Sequence, residues 1–218
     1  MMDYEKNPIL DVFKTELVQD AHFTQKHEMP ILKRVDFTPS EAIPFNFATR
    51  AKNFEQWLHF YINDYCFERV WNNCSRYLPL FRRFKGVFTP DFSLYREMPI
   101  AMQIWNTYRN RVMAYWLQNN GIDIVPNVRW SDERSYSFAF EGFEKGGTFA
   151  IGTNGCIGNR LDRYYFQKGL AKMVEILEPN ALINYYSKPA DIFGIYEKQG
   201  IKIISLNYWR DALNRAVK

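Results

Sequence analysis

The chain is poor in the residues that most often carry metal or redox chemistry. Its 218 residues include three cysteines and three histidines. Cys66, Cys74 and Cys156 are odd in number and form no CxxC pair, which argues against a disulfide framework and for a reducing cytoplasm. His22 and His27 stand five apart, on different sides of any helix. No HExxH motif, Cys/His cluster or carboxylate pair at ligand spacing occurs, so no metal and no cofactor is expected. Walker, GxGxxG and GxSxG motifs are also missing. Long apolar runs are absent. Charges interrupt each of them, and the uncharged stretch 146–159 is short and glycine-rich, so no membrane contact is expected. The first residues lack the pattern of a signal peptide. Charge of one sign is not in excess, since the net is only +4.

What the chain has is apolar and aromatic mass. Hydrophobic residues make up 47%, enough for a sizeable core. Aromatics reach 17%, roughly twice the usual share. Residues 1–30 read as an N-terminal arm, with a short helix near 9–18. Residues 31–218 read as a single α/β domain. There a theme repeats: a short apolar run, a polar knot, then a helical pattern. Strands are expected at 58–62, 86–88, 122–128, 148–151, 181–185 and 201–206. Runs 31–37 and 42–47 would make eight.

Helices are expected after Asn63 and Asp64, at 99–119, at 132–140, at 159–177, after Ser187 with Pro189 in the first turn, and at the C-terminus. Pro79 is expected to break or restart the first of these. In helix 99–119 the apolar positions Ala101, Trp105, Tyr108, Val112 and Tyr115 recur at helical spacing. In helix 159–177 Leu161, Tyr165, Gly169, Met173 and Leu177 do the same. The pattern predicts parallel βα units in a small or incomplete TIM-barrel-like fold, with an open doubly wound sheet as the rival.

In either architecture, sites form beyond the carboxyl ends of the strands. Asp91 follows a buried-looking strand among aromatics. There its carboxyl can serve as general acid, base or nucleophile, or merely as a turn former. Asp64 is a second catalytic candidate, although helix capping alone explains it. Ser93, Asn127, Arg129, Trp130, Asn154, Asn184 and Tyr185 are candidate ligand contacts at other strand ends, with Asn207 after the last strand. The turn 152–158 is glycine-rich and opens a helix. Gly155, Arg160 and Arg163 there could meet a phosphate, or the turn is simply tight. Arg109 and Arg111 could face nucleic acid, or form a solvated basic face. Trp105 and Tyr108 are expected in the core. Cys156 is a weak nucleophile candidate, and Glu141 is expected to face solvent.

Several motifs together resemble an uncharacterised domain-of-unknown-function family from phages, plasmids and integrative elements. They are the runs from Leu58 to Tyr65 and from Phe67 to Asn72, and Gly86-Val87-Phe88-Thr89-Pro90-Asp91-Phe92-Ser93-Leu94-Tyr95. Gln103 to Arg109, Val125-Pro126-Asn127-Val128-Arg129-Trp130 and Gly152-Thr153-Asn154-Gly155 complete the set. The resemblance spans about residues 30–205. It implies a mobile-element origin and the cytoplasm of a bacterial host, but supplies no activity. That family often has proline where Cys74 stands, which argues against an essential thiol there.

Three readings follow. One is an enzyme or ligand-binding barrel acting on a nucleotide or nucleic-acid component. The second is a non-catalytic nucleic-acid-binding accessory protein. The third is a factor that binds a host protein. The residues alone do not decide whether the chain is an enzyme.

Overall fold

A computed structural model describes residues 13–206. Seven short strands form: β1 (Ala42–Pro44), β2 (Trp57–His59), β3 (Gly86–Phe88), β4 (Ile124–Val125), β5 (Thr148–Gly152), β6 (Ala181–Tyr185) and β7 (Lys202–Leu206). Six α-helices lie between them: α1 (Glu68–Asn72), α2 (Cys74–Phe81), α3 (Ile100–Asn119), α4 (Tyr136–Ala139), α5 (Arg160–Leu177) and α6 (Ala190–Lys198).

Among the described residues all strand pairs are parallel. The sheets run β1-β2-β3-β4 and β5-β6-β7, and a parallel bridge between Asn127 and Ala150 joins their borders. Spatial order therefore follows chain order, as in a βα-barrel, with no reversal of the doubly wound kind. Among the described residues no pairing joins β7 to β1, so the α/β fold is open.

The alternation of side chains along each strand sorts the core into layers. Leu58, Val87 and Ile124 face outward with Val112, Met113 and Leu117 of α3. Phe149, Ile151, Leu182 and Ile203 face outward with Leu170 and Met173 of α5 and Phe193 of α6. The residues between them, Trp57, Phe88, Val125, Ala150, Ile183, Tyr185 and Leu206, meet in a third cluster on the inner face. Trp57 fits there because β3 begins with glycine. A Cβ on Gly86 would lie 2.6 Å from the Trp57 ring and 2.7 Å from the Asp123 carbonyl.

Several expectations need correction. Run 31–37 forms no strand: Leu32 makes one bridge to Phe143, while Lys33 and Arg34 donate backbone N–H groups to the Gln118 and Glu144 side chains. β2 stops at His59, where a turn lets the Ile62 N–H reach the Phe60 carbonyl. β4 is cut short by Pro126, which has no N–H for the ladder. The first helical region breaks at Asn73, which caps α2, whereas Pro79 lies inside that helix. Pro189, not Ser187, is the N-cap of α6, and the Ser187 carbonyl accepts from Thr153 and Asn184. Leu161 is 53% exposed and Trp105 37%, so neither belongs to the core. Of helix 9–18, a 3-10 turn at Thr15–Val18 is described; its start, Asn207 and the C-terminal helix lie outside the described residues. Leu17 and Val18 pack in the first core and Met29 in the second.

Candidate functional site

A cleft of about 770 Å³ opens at the carboxyl ends of β2 to β6. Residues 61–65 line it after β2, Asp91 and 93–97 after β3, and 128–131 after β4. Ile151, Gly152 and 154–156 come from β5 and its turn, Tyr185 from the end of β6, and Asp162, Tyr165 and Phe166 from α5.

The segment after β3 has no regular structure, so its backbone needs other partners. α3 provides them. Asn110 accepts from the Phe92 N–H at 2.9 Å and donates to the Phe92 carbonyl at 3.2 Å. Asn106 donates to the Ser93 carbonyl at 2.7 Å. Gln103 donates to the Tyr95 and Met98 carbonyls and accepts from the Ser131 hydroxyl at 2.6 Å. The spacing 103, 106, 110 puts three amides on one helix face. Asp64 adds a tie from β2: it accepts from the Ser93 N–H at 3.0 Å and the Ser93 hydroxyl at 2.9 Å. Asp64 is therefore not the side-chain N-cap expected of it.

This scaffold holds Asp91, only 6% exposed, with Arg129 Nε 3.6 Å from its Oδ1. Burial lifts the Asp91 carboxyl above the usual range. Arg129 pulls it back down, and Asp64 adds to the lift. Burial alone would make Arg129 easier to deprotonate, but Asp91, Cys156 and the tyrosines hold it firmly protonated. Cys156 Sγ lies 3.8 Å from Arg129 Nη1, yet burial raises its thiol pKa, which weighs against a reactive thiolate.

Tyr61 stands beside this pair. Its hydroxyl donates to Asn127 Oδ1 at 2.5 Å, while the Asn127 amide donates to the Thr89 carbonyl. Burial first, and Asp91 second, keep the phenol protonated well above its ordinary range. The Tyr61 ring stacks on Tyr185 at 4.4 Å and 5°. It passes over Gly152, where a Cβ would stand 3.2 Å from it. Beneath lies His59, buried and held neutral by desolvation, with its pKa lowered to about 3. Arg96 meets Asp162 at 2.5 Å on the α5 side.

The structure thus gathers Asp91, Asp64, Ser93, Arg129, Trp130, Asn154, Gly155 and Tyr185 around one cleft. Trp130 is mostly packed: it is 8% exposed, and its ring lies so close to Gly169 that a Cβ there would clash with the indole nitrogen. Asn127 braces the wall through Tyr61 and Thr89 rather than lining the space. Asn184 is fully buried and turned to the Ser187 carbonyl, away from the cleft. Arg160 is exposed and does not line the cleft, and Arg163 pairs with Asp191.

The two arginines expected to face nucleic acid are engaged elsewhere. Arg111 is 2% exposed and donates to the Glu141 and Ala139 carbonyls. Arg109 binds Glu68 and Asn106 and covers the Phe92 ring. Glu141 is turned inward to Thr24 and His27. Sequence reasoning missed Tyr61, Tyr95, Arg96 and Asp162. Only Tyr61 and Tyr95 had a signal, as polar-tipped aromatics beside the strand ends. Among the described residues no group of three or more metal-ligating side chains forms, and no helix is long and apolar enough to cross a membrane.

Comparison with known proteins adds a family. Residues 21–208 match the model of a domain of unknown function, DUF4417. The chain is 35% identical over 164 residues to the "Gene 1 protein" of Mycobacterium phage L5, covering 73% of this chain and 71% of the relative. It is 34% identical over 164 residues to the "Gene 1 protein" of Mycobacterium phage D29, of which it spans 60%. No solved structure matches.

Proposed function

The chain belongs to the DUF4417 family and has mycobacteriophage relatives, and we propose that its cleft binds a nucleotide or nucleic-acid component, with Asp91 as the acid/base group. The observation that carries this reading is the Asp91–Arg129 pair inside an aromatic-walled cleft at the strand ends. Burying such a pair costs desolvation energy that apolar packing would avoid, so its place at the cleft calls for a ligand role. A carboxyl with a raised pKa can hold or release a proton nearer neutrality. Tyr65 and Tyr95, 78% and 56% exposed at the cleft, offer faces to a flat ring. Asp64 acts as a positioning residue by fixing Ser93.

The test is a thermal-shift panel of nucleosides, nucleotides and short oligonucleotides. A ligand of this class should raise Tm, and Asp91→Asn should abolish the shift. Because Asn leaves Arg129 without its counter-charge, the double variant Asp91→Asn/Arg129→Met serves as the stability control. It should recover Tm without recovering the response. If no compound moves the wild-type Tm, the reading fails.

A further inference from the structure

We propose that the cleft reads a neutral ring with a guanine-type edge and gains nothing from a phosphate. This rests on the nucleotide-class reading above and names the part of the ligand that is recognised.

Charge comes first. The cleft is lined by four carboxylates, Asp64, Asp91, Glu97 and Asp162, against two guanidiniums, Arg96 and Arg129. Each guanidinium already faces a carboxylate, Arg96 at 2.5 Å from Asp162 and Arg129 at 3.6 Å from Asp91. A phosphate would enter a net negative field. Two N–H groups of the glycine-rich turn are already committed. The Thr153 and Cys156 N–H groups already donate to the Tyr185 and Thr153 carbonyls. Asp162 occupies the first turn of α5 and supplies the negative charge that this helix end favours.

Hydrogen-bond polarity comes second. An ionised Asp91 offers only acceptors and Arg129 only donors, and they stand side by side. With both Asp91 oxygens accepting, their complement is an edge with two adjacent N–H donors followed by a carbonyl oxygen. Guanine has that edge in its exocyclic amine, ring N–H and carbonyl. Adenine would turn an unprotonated ring nitrogen toward carboxylate lone pairs. Uracil has a single N–H between two carbonyls.

Calorimetry with guanosine, inosine, adenosine, uridine and guanosine 5′-monophosphate tests this. Guanosine should bind tightest. Inosine, which lacks the exocyclic amine, should bind about tenfold weaker, the scale of one lost specific contact. The monophosphate should bind no tighter than guanosine. Asp91→Asn should weaken guanosine more than tenfold while leaving the far-UV circular dichroism unchanged. If adenosine or uridine matches guanosine, or the monophosphate binds over tenfold tighter, the inference is overturned while the nucleotide-class reading survives. If none of the five binds, this inference is overturned, and the nucleotide-class reading is decided by the wider thermal-shift panel.

Discussion

Helices α3 and α5 have similar lengths, 20 and 18 residues, but the N-terminal part of α3 buries polar groups where α5 buries apolar ones. α5 buries Phe166, Gly169, Leu170, Met173 and Leu177, an apolar stripe. The N-terminal part of α3, through residue 110, buries Gln103, Asn106, Thr107 and Asn110, while its exposed side carries Met102 and Trp105. The difference lies in what each helix covers. α5 packs on the side chains of finished strands, whose backbones are already paired. Residues 103–110 of α3 cover the irregular segment after β3, whose backbone groups need partners away from water, while Val112, Met113 and Leu117 pack on the strands. Buried amides therefore mark where the fold gives up strand pairing to shape the cleft.

Four substitutions probe this contrast. Asn110→Leu should be the most damaging. It strands the N–H and carbonyl of Phe92 and should cost about 4 kcal/mol in denaturant unfolding, together with the ligand response. Met173→Ala in the α5 stripe should cost about 3 kcal/mol through a cavity. Its ligand affinity should stay unchanged while the protein is folded, and a loss there would erase the distinction between the helices. Asn106→Ala frees one buried carbonyl and should cost about 1–2 kcal/mol. It should weaken ligand binding beyond what its stability loss explains. Leu161→Ala, on the exposed end of α5, should change stability by less than about 0.5 kcal/mol. A larger loss would restore it to the core.

The same contrast explains what could be read in advance. β3 and β6 were legible to the residue because each is a short apolar run closed by polar or turn-forming residues. The start of α5 was legible because Asn159 is a local cap, accepting from the Asp162 N–H at 2.9 Å. The α3 amides were not, because a buried Asn that serves a distant backbone has the same local sequence as a solvated one. Arg111 looked like a surface base for the same reason. The pairing of Arg96 with Asp162 joins residues 66 apart, beyond any local pattern.

By itself the sequence determined the α/β class, the order of its strands and helices, and the polar character of the strand ends. These follow from periodicity, caps and breakers, which act over a few residues. Tertiary structure alone decided that five of those ends share one cleft, that Asp91 is buried beside Arg129, and that Arg109, Arg111 and Asn184 turned away from the cleft. Burial and charge pairing depend on the whole packed chain, and no window of neighbouring residues contains them.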